Sequence, residues 1–341
     1  MINDIKVRSE RKRILSQPVA QGLLASALVA LGAEFLSDHY GAPAMLMALL
    51  LGIAFNFLAE EGRCVIGIGF ASRSVLRFGV ALLGVRISVE LLVQLGPALI
   101  GLIVAGVLLT IAFGVLLSRL LGRGWNFGVL TGGSVAICGA SAAMAIAAIL
   151  PRNEDSERDL TFTVLAVTVL STLAMIIYPM IANPLNLDRL QTGVFLGGTI
   201  HDVAQVIGAG FSVSDKTGEI ATLVKLIRVT MLAPVIFALV VLGRRKSISD
   251  LANKRPPPVP GFVVIFIALA TINSLGLIPK MVQNTMNDVS RWSLLTAMAA
   301  VGMKTSLRSM LDVGGQAIIM IVAETAFLAV FVTVGTILLG T

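Results

Sequence analysis

The sequence predicts an all-α, polytopic membrane protein. Three observations predict it. Eleven long apolar stretches, joined by short charged connections, fill almost all of the 341 residues. Hydrophobic residues make up 56% of the chain and charged residues 13%, with a mean hydropathy of +0.93, whereas ordinary soluble domains carry about 25% charge. Lysine and arginine gather on alternate connections, as they do where chains cross a bacterial inner membrane. An apolar run of about 18 residues suffices to cross the hydrocarbon core as a helix.

In chain order, residues 1–17 form a basic cytoplasmic tail. No small-residue cleavage pattern ahead of a soluble domain marks it as a leader. The rest, 18–341, is one transmembrane domain, with a peripheral helix at 18–38, a first half at 42–182 and a second half at 189–341. The expected spans are Pro18–Leu36, Ala42–Leu58, Phe78–Leu95, Pro97–Leu117, Asn126–Leu150, Leu160–Ile181, Leu190–Val213, Ile220–Leu242, Gly261–Ile278, Ser293–Leu311 and Gly314–Leu339. The second is short, and Cys64–Phe70 is expected to lie at the interface beside it. With the N-terminus inside, 17 Lys and Arg residues fall on the cytoplasmic side and five (Arg152, Arg158, Lys216, Lys280, Arg291) outside. Trp125 and Trp292 open spans, at interfacial depth. The loop Gly243–Pro260, with five basic residues and a triple proline, is the expected linker between halves.

Composition narrows the function. The net charge of +7 belongs to cytoplasmic loops, and no basic-aromatic groove accompanies it, so nucleic acid is not an expected partner. Two cysteines, Cys64 and Cys138, make no disulfide framework. There is no His-Glu-x-x-His, no Gly-Lys-Ser/Thr nucleotide loop and no metal-spaced Cys/His cluster. The expectation is no enzyme, no metal and no cofactor, and any transport must run on ion gradients.

Two pairs of segments resemble each other. "GVRIS" at Gly84–Ser88 matches "GMKTS" at Gly302–Ser306, each followed by a glycine-containing break, "LGP" or "VGG", and a long helix. These copies run in opposite directions, as in an inverted-topology repeat. "GGSV" at Gly132–Val135 and "GGTI" at Gly197–Ile200 are followed by "VTVL" and "VTML", but with eleven crossings these copies run parallel. Parity favours inverted five-helix repeats, spans two to six and seven to eleven.

The fifth stretch, "GVLTGGSVAICGASAAMAIA", places Gly132, Gly133 and Gly139 in mid-span. A glycine pair lowers the cost of unwinding. A break there would aim backbone N–H groups at an anion, with Ser134, Cys138 and Ser141 beside them. The alternative is close helix packing through small residues. The seventh stretch, "FLGGTIHDVAQVIGAG", carries His201, Asp202 and Gln205. A charged Asp at the bilayer centre costs about 2.5–3.5 kcal/mol on insertion scales and is a functional candidate by default. His201 could carry a coupling proton. The alternative is a structural hydrogen-bond network.

Arg86 and Lys304 occupy matching places in the first repeat pair and could meet at the midplane to hold an anion, or else serve charge compensation and snorkelling. Lys225 and Arg228 share a face of the eighth span and form a charge network with each other or with Asp202. Lys225, near a helix end, is expected to snorkel. Glu324 is a candidate coupling group, along with His201 and Asp202, or else a charge-pairing partner.

"GGSVAICGASAAMAI", "GGTIHDVAQVIGAG", "LLGVRIS" and "AMAAVGMKTSL" together resemble the YeiH-type bacterial membrane proteins, a group labelled as sulfate exporters. That group is distantly similar to the cation:proton antiporter and bile-acid:sodium symporter folds. The resemblance implies two inverted five-helix units with discontinuous crossing helices. The expected function is a secondary active transporter of a small anion, such as sulfate or another sulfur oxyanion, with alternating access and coupling to H⁺ or Na⁺. The rivals are a passive anion channel and a non-transporting membrane scaffold. Lipid and the anionic solute are the expected partners, and self-association into a homo-oligomer fits the same picture.

Overall fold

A computed structural model describes residues 2–40, 42–86, 89–151, 154–242, 260–305 and 315–339. These residues form helices joined by short turns, and their contacts divide the chain into two compact units. One comprises Met1–Ile87 with Ile265–Leu307, and the other Ser88–Val264 with Arg308–Thr341. Among the described residues, six helical segments are long and apolar enough to cross a membrane: Val19–Tyr40, Val65–Arg86, Val93–Leu120, Ser156–Ala182, Asp215–Val241 and Ile318–Leu339. The other expected spans are shorter, interrupted or more polar.

In the first unit, α1 (Ile2–Tyr40) is followed by the short α2 (Ala44–Ala54) and α3 (Phe57–Glu60). Next come α4 (Val65–Phe70), a π turn at Ala71–Val75, α5 (Leu76–Leu83) and a 3-10 turn at Gly84–Arg86. Cys64–Phe70, expected at the interface, instead opens this long helix. The π turn lets it continue past Ser72 and Arg73 as far as Arg86, and the next helix begins at Val89. That helix is interrupted at Gly96 (φ 67, ψ 162), at the expected "LGP" break just before Pro97.

α14 (Gly261–Ser274) and α15 (Lys280–Lys304) return late in the chain. Backbones approach through glycines: Gly22 and Gly67 let α1 meet α4, and Gly52 and Gly302 let α2 meet α15. In a bilayer, where lipid is as apolar as leucine, such close packing replaces hydrophobic driving force. Ser290 Oγ donates to Gly79 O at 2.7 Å, Asn56 Nδ2 to Met303 O at 2.7 Å, and Arg291 pairs with Glu34.

The second unit holds α6 (Val89–Leu120), α7 (Trp125–Ala136), α8 (Ala140–Ala147), α9 (Ser156–Ala182), α10 (Arg189–Thr199), α11 (Val203–Val213), α12 (Asp215–Thr230), α13 (Leu232–Leu242) and α16 (Gly315–Leu339). α6 and α16 are antiparallel: Leu102 lies beside Gly335, Phe331 beside Gly106, and Glu324 beside Gly114, with Phe113 and Phe327 stacked at 4.5 Å.

The fifth and seventh expected spans are not single crossings. α7 stops at Ala136, and α8 doubles back along it, so that Ile146 of α8 packs against Gly133 of α7. At the open end, Arg123 Nη2, just before α7, binds Asp159 Oδ1 at the start of α9 at 2.9 Å, and its guanidinium lies 4.5 Å from the Phe127 ring. An open cleft there is lined by Arg123, Phe127, Leu130, Leu150 and Asp159 among others.

α10 and α11 form a second hairpin. α10 runs parallel to α12, with Gly193 against Ile220 and Gly197 against Ala221 and Val224. α11 runs back, with Gly210 against Gly218, and Thr217 Oγ1 reaches Arg189 O at 3.5 Å. Asp188 and Gln191 form a capping box at the start of α10, and Ser214 caps α12. The expected linker (243–259) and parts of the "GMKTS" and "VGG" segments lie outside the described residues.

Candidate functional site

The two hairpin turns meet. The first consists of Ile137, Cys138 and Gly139, and the second of Ile200, His201 and Asp202. A Cβ built on Gly139 would stand 3.6 Å from Cβ of His201. Gly139 has φ 63 and ψ −127, a conformation that essentially only glycine adopts. The helix therefore breaks at Gly139, not at the expected Gly132–Gly133 pair. That pair is helical and buried: Gly132 lies against the backbone of Thr110 and Ile111, and Gly133 against Ile146. Small size for packing, the alternative reading, describes both. Ser134 does not cap the break either, since its hydroxyl donates back to Leu130 O.

A helix that stops inside a membrane leaves carbonyls with neither helical partner nor water. Here α12 supplies the partners. Arg228 donates from Nε to Ala136 O (2.8 Å), from Nη2 to Val135 O (2.8 Å), and from Nη1 to Gly197 O (3.0 Å) and Ile200 O (2.9 Å). Lys225 Nζ donates to Ile137 O at 2.7 Å and Ile200 O at 2.9 Å. The two side chains thus hold the carbonyl ends of α7 and α10 together, where the Arg228 guanidinium also complements the helix dipole. Lys225 does not snorkel: it is fully buried. α12 begins at Asp215 behind its Ser214 cap, which puts Lys225 in mid-helix.

His201 is also fully buried. Its Nδ1 faces Val135 O at 3.2 Å and its Nε2 faces Thr325 Oγ1 at 3.0 Å. A carbonyl can only accept, so Nδ1 carries the proton of that bond. The backbone N–H groups of His201 and Asp202 donate to Ser171 Oγ at 3.2 and 3.0 Å. Asp202 caps α11, with Oδ1 accepting from Ala204 N at 2.8 Å. Gln205 Nε2 donates to Thr172 Oγ1 at 2.8 Å, while its buried Oε1 has no partner among the described residues.

No side chain caps α8. Ser141, in its first turn, is exposed, and its hydroxyl donates to Cys138 O at 3.1 Å, with Cys138 Sγ also at 3.1 Å. The turns thus have a sealed face, with His201, Lys225 and Arg228, and an open face, with exposed Ser141 and half-buried Asp202.

Glu324 sits beside this network, one residue before Thr325. It is buried, with Thr131 Oγ1 at 2.8 Å from Oε1, while Oε2 has no partner among the described residues.

Arg86 and Lys304 do not converge. Gln283 Nε2 reaches Val85 O at 3.3 Å, which places Arg86 at the start of α15. Lys304 ends that helix, about 30 Å further along at about 1.5 Å per residue. Both belong to the first unit, whereas the joined turns belong to the second. The sequence reading missed Thr131, Ser171, Thr172 and Thr325. Their only signal was hydroxyls in mid-span, at Ser171–Thr172 and beside Glu324.

The family described as Conserved hypothetical protein 698 matches residues 21–321. The chain is 63% identical to UPF0324 membrane protein TauZ of Paracoccus pantotrophus over 330 residues, covering 96% of this chain and 98% of that protein. It is 60% identical to UPF0324 membrane protein RB0971 of Rhizobium meliloti over 341 residues, 99% of each. A more distant relative, the UPF0324 membrane protein of Caulobacter vibrioides, is 34% identical over 319 residues, 93% of this chain and 68% of that protein. No solved structure matches. The joined helix turns and mid-span polar residues described above therefore belong to a multi-pass bacterial membrane protein, a member of the UPF0324 (Conserved hypothetical protein 698) family.

Proposed function

We propose that the protein is a secondary active transporter of a small anion in the bacterial inner membrane, with its N-terminus cytoplasmic. It works by alternating access, is coupled to H⁺ or Na⁺, and is not an enzyme. The observation that carries this reading is the pair of joined turns, whose carbonyl ends are neutralised by Lys225 and Arg228. The N-terminal ends of α8 and α11 lie at the same place, on the open face with Ser141 and Asp202. Helix N-termini attract anions, and the Arg228 guanidinium behind them adds to that potential.

In this reading Cys138, Ser141, Asp202 and Gln205 border the solute. Gly132, Gly133 and Ser134 form the packed wall that holds α7 in place, and His201 and Glu324 are the groups through which a proton would couple. The inverted repeat belongs to the same proposal, but its copies are "GGSV" with "VTVL" and "GGTI" with "VTML", a hairpin and the helix after it. The likeness to YeiH-type proteins and to the antiporter and symporter folds supports a carrier.

The test is a thermal-shift screen of the purified protein with sulfate, sulfite, methanesulfonate, phosphate and nitrate, with and without Na⁺, at two pH values. An anion that raises the melting temperature is expected, as a ligand bound only by the folded state must do, and Ser141→Ala is expected to weaken that shift. No shift with any of them would sink the reading. Counterflow in proteoliposomes then separates a carrier, which unlabelled solute on the far side accelerates, from a channel, which it does not.

A further inference from the structure

We infer that α7–α8 and α10–α11 are half-spanning hairpins that enter the membrane from opposite faces and turn back where their tips meet. Residues 150–188 are therefore turned over relative to an eleven-crossing chain.

Three observations carry this. First, each hairpin has its two ends together. Arg123 binds Asp159 at 2.9 Å although α7 and α8 lie between them, and Thr217 reaches Arg189 O although α10 and α11 lie between them. A helix that crossed would put those ends on opposite faces.

Second, the depths agree. α7 has 12 residues and α10 has 11, about 18 and 16 Å at about 1.5 Å per residue, or roughly half of a crossing. α9 joins the open end of the first hairpin to the start of the second. Its Ser171, sixteenth of 27 residues, touches the tip of the second hairpin. The two hairpins therefore approach that tip region from the two ends of α9.

Third, the charges follow. Among the described residues, the turn-over carries Arg158 to the cytoplasmic side while Arg189 leaves it, so the basic bias that orients such chains is kept.

The two reversals cancel, so every span after the second hairpin keeps its direction. The same geometry sets the "GGSV…VTVL" and "GGTI…VTML" copies in opposite directions, which eleven crossings did not. The inference does not depend on transport, since a channel or scaffold with these hairpins would have the same sidedness.

Impermeant-maleimide labelling of single cysteines tests it, in full-length protein carrying Cys64→Ser and Cys138→Ser in intact cells. Glu61→Cys and Met281→Cys serve as inner and outer references, because neither changes side in either topology. Glu157→Cys is expected to be protected until the cells are permeabilised, and Asn183→Cys to react in intact cells. The reverse pattern, or both sites on one face, would overturn the inference. Glu154→Cys and Pro184→Cys repeat the measurement at neighbouring exposed positions should either first variant fail to fold.

Discussion

The two hairpin turns solve one problem with different chemistry. At α10–α11 the turn residues keep ordinary backbone angles (Ile200 φ −62, Asp202 φ −97). Side chains do the work there: Asp202 caps the returning helix and Ser171 takes two N–H groups. At α7–α8 no side chain caps the returning helix, and a single glycine at φ 63 makes the turn. The first turn is thus held by backbone geometry and left chemically open, and the second is held by polar side chains. Only the carbonyl ends are treated alike, through Lys225 and Arg228. On the proposed transporter reading, the uncapped turn with exposed Ser141 is where a solute would take the role of the missing cap.

This contrast can be broken at graded cost. Arg228→Met should be the most damaging change, because it strips four bonds from both turns at once. Breaking a buried charged network costs about 3–5 kcal/mol, so the variant should melt far below wild type or fail to purify, and Arg228→Lys should recover only part of the loss. Ser171→Ala should hurt the second turn alone, at about 1–3 kcal/mol for unsatisfied buried donors. Hydrogen exchange should accelerate at 200–205 and not at 137–141.

Gly139→Ala should give the converse, about 1–3 kcal/mol of backbone strain, since the space beside His201 admits the methyl. Exchange should then rise at 137–143 while α11 stays protected. Smallest is Asp202→Ala, about 0.5–2 kcal/mol for a lost N-cap, with Asp202→Asn retaining most of it. If Asp202→Asn melts as low as Asp202→Ala in thermal denaturation, the carboxylate does more than cap.

Much of the membrane character was legible in the sequence, because apolar length and the placement of lysine and arginine are local properties. The turns were only half legible. Gly132–Gly133 drew attention because paired glycines loosen a helix. A helix inside a bilayer stops, however, where its carbonyls can be taken up again, and here the takers are Lys225 and Arg228, about ninety residues later. A 25-residue apolar run such as Asn126–Leu150 has the same composition whether it crosses or folds back, so the reversal at Gly139 left no mark on hydropathy. The reading of Lys225 failed on a boundary: starting its helix at Ile220 placed it at an interface, whereas the Ser214 cap starts the helix five residues earlier. Arg86 and Lys304 were paired by motif likeness, which says nothing of register along α15.

One guanidinium holds both turns at once. Pulling one hairpin tip away from the other would strand Val135, Ala136, Gly197 and Ile200 carbonyls in hydrocarbon, so neither hairpin can serve as a swinging door on its own. On the proposed carrier reading, these two half-helices, with α12 as their clasp, would therefore have to move as one body.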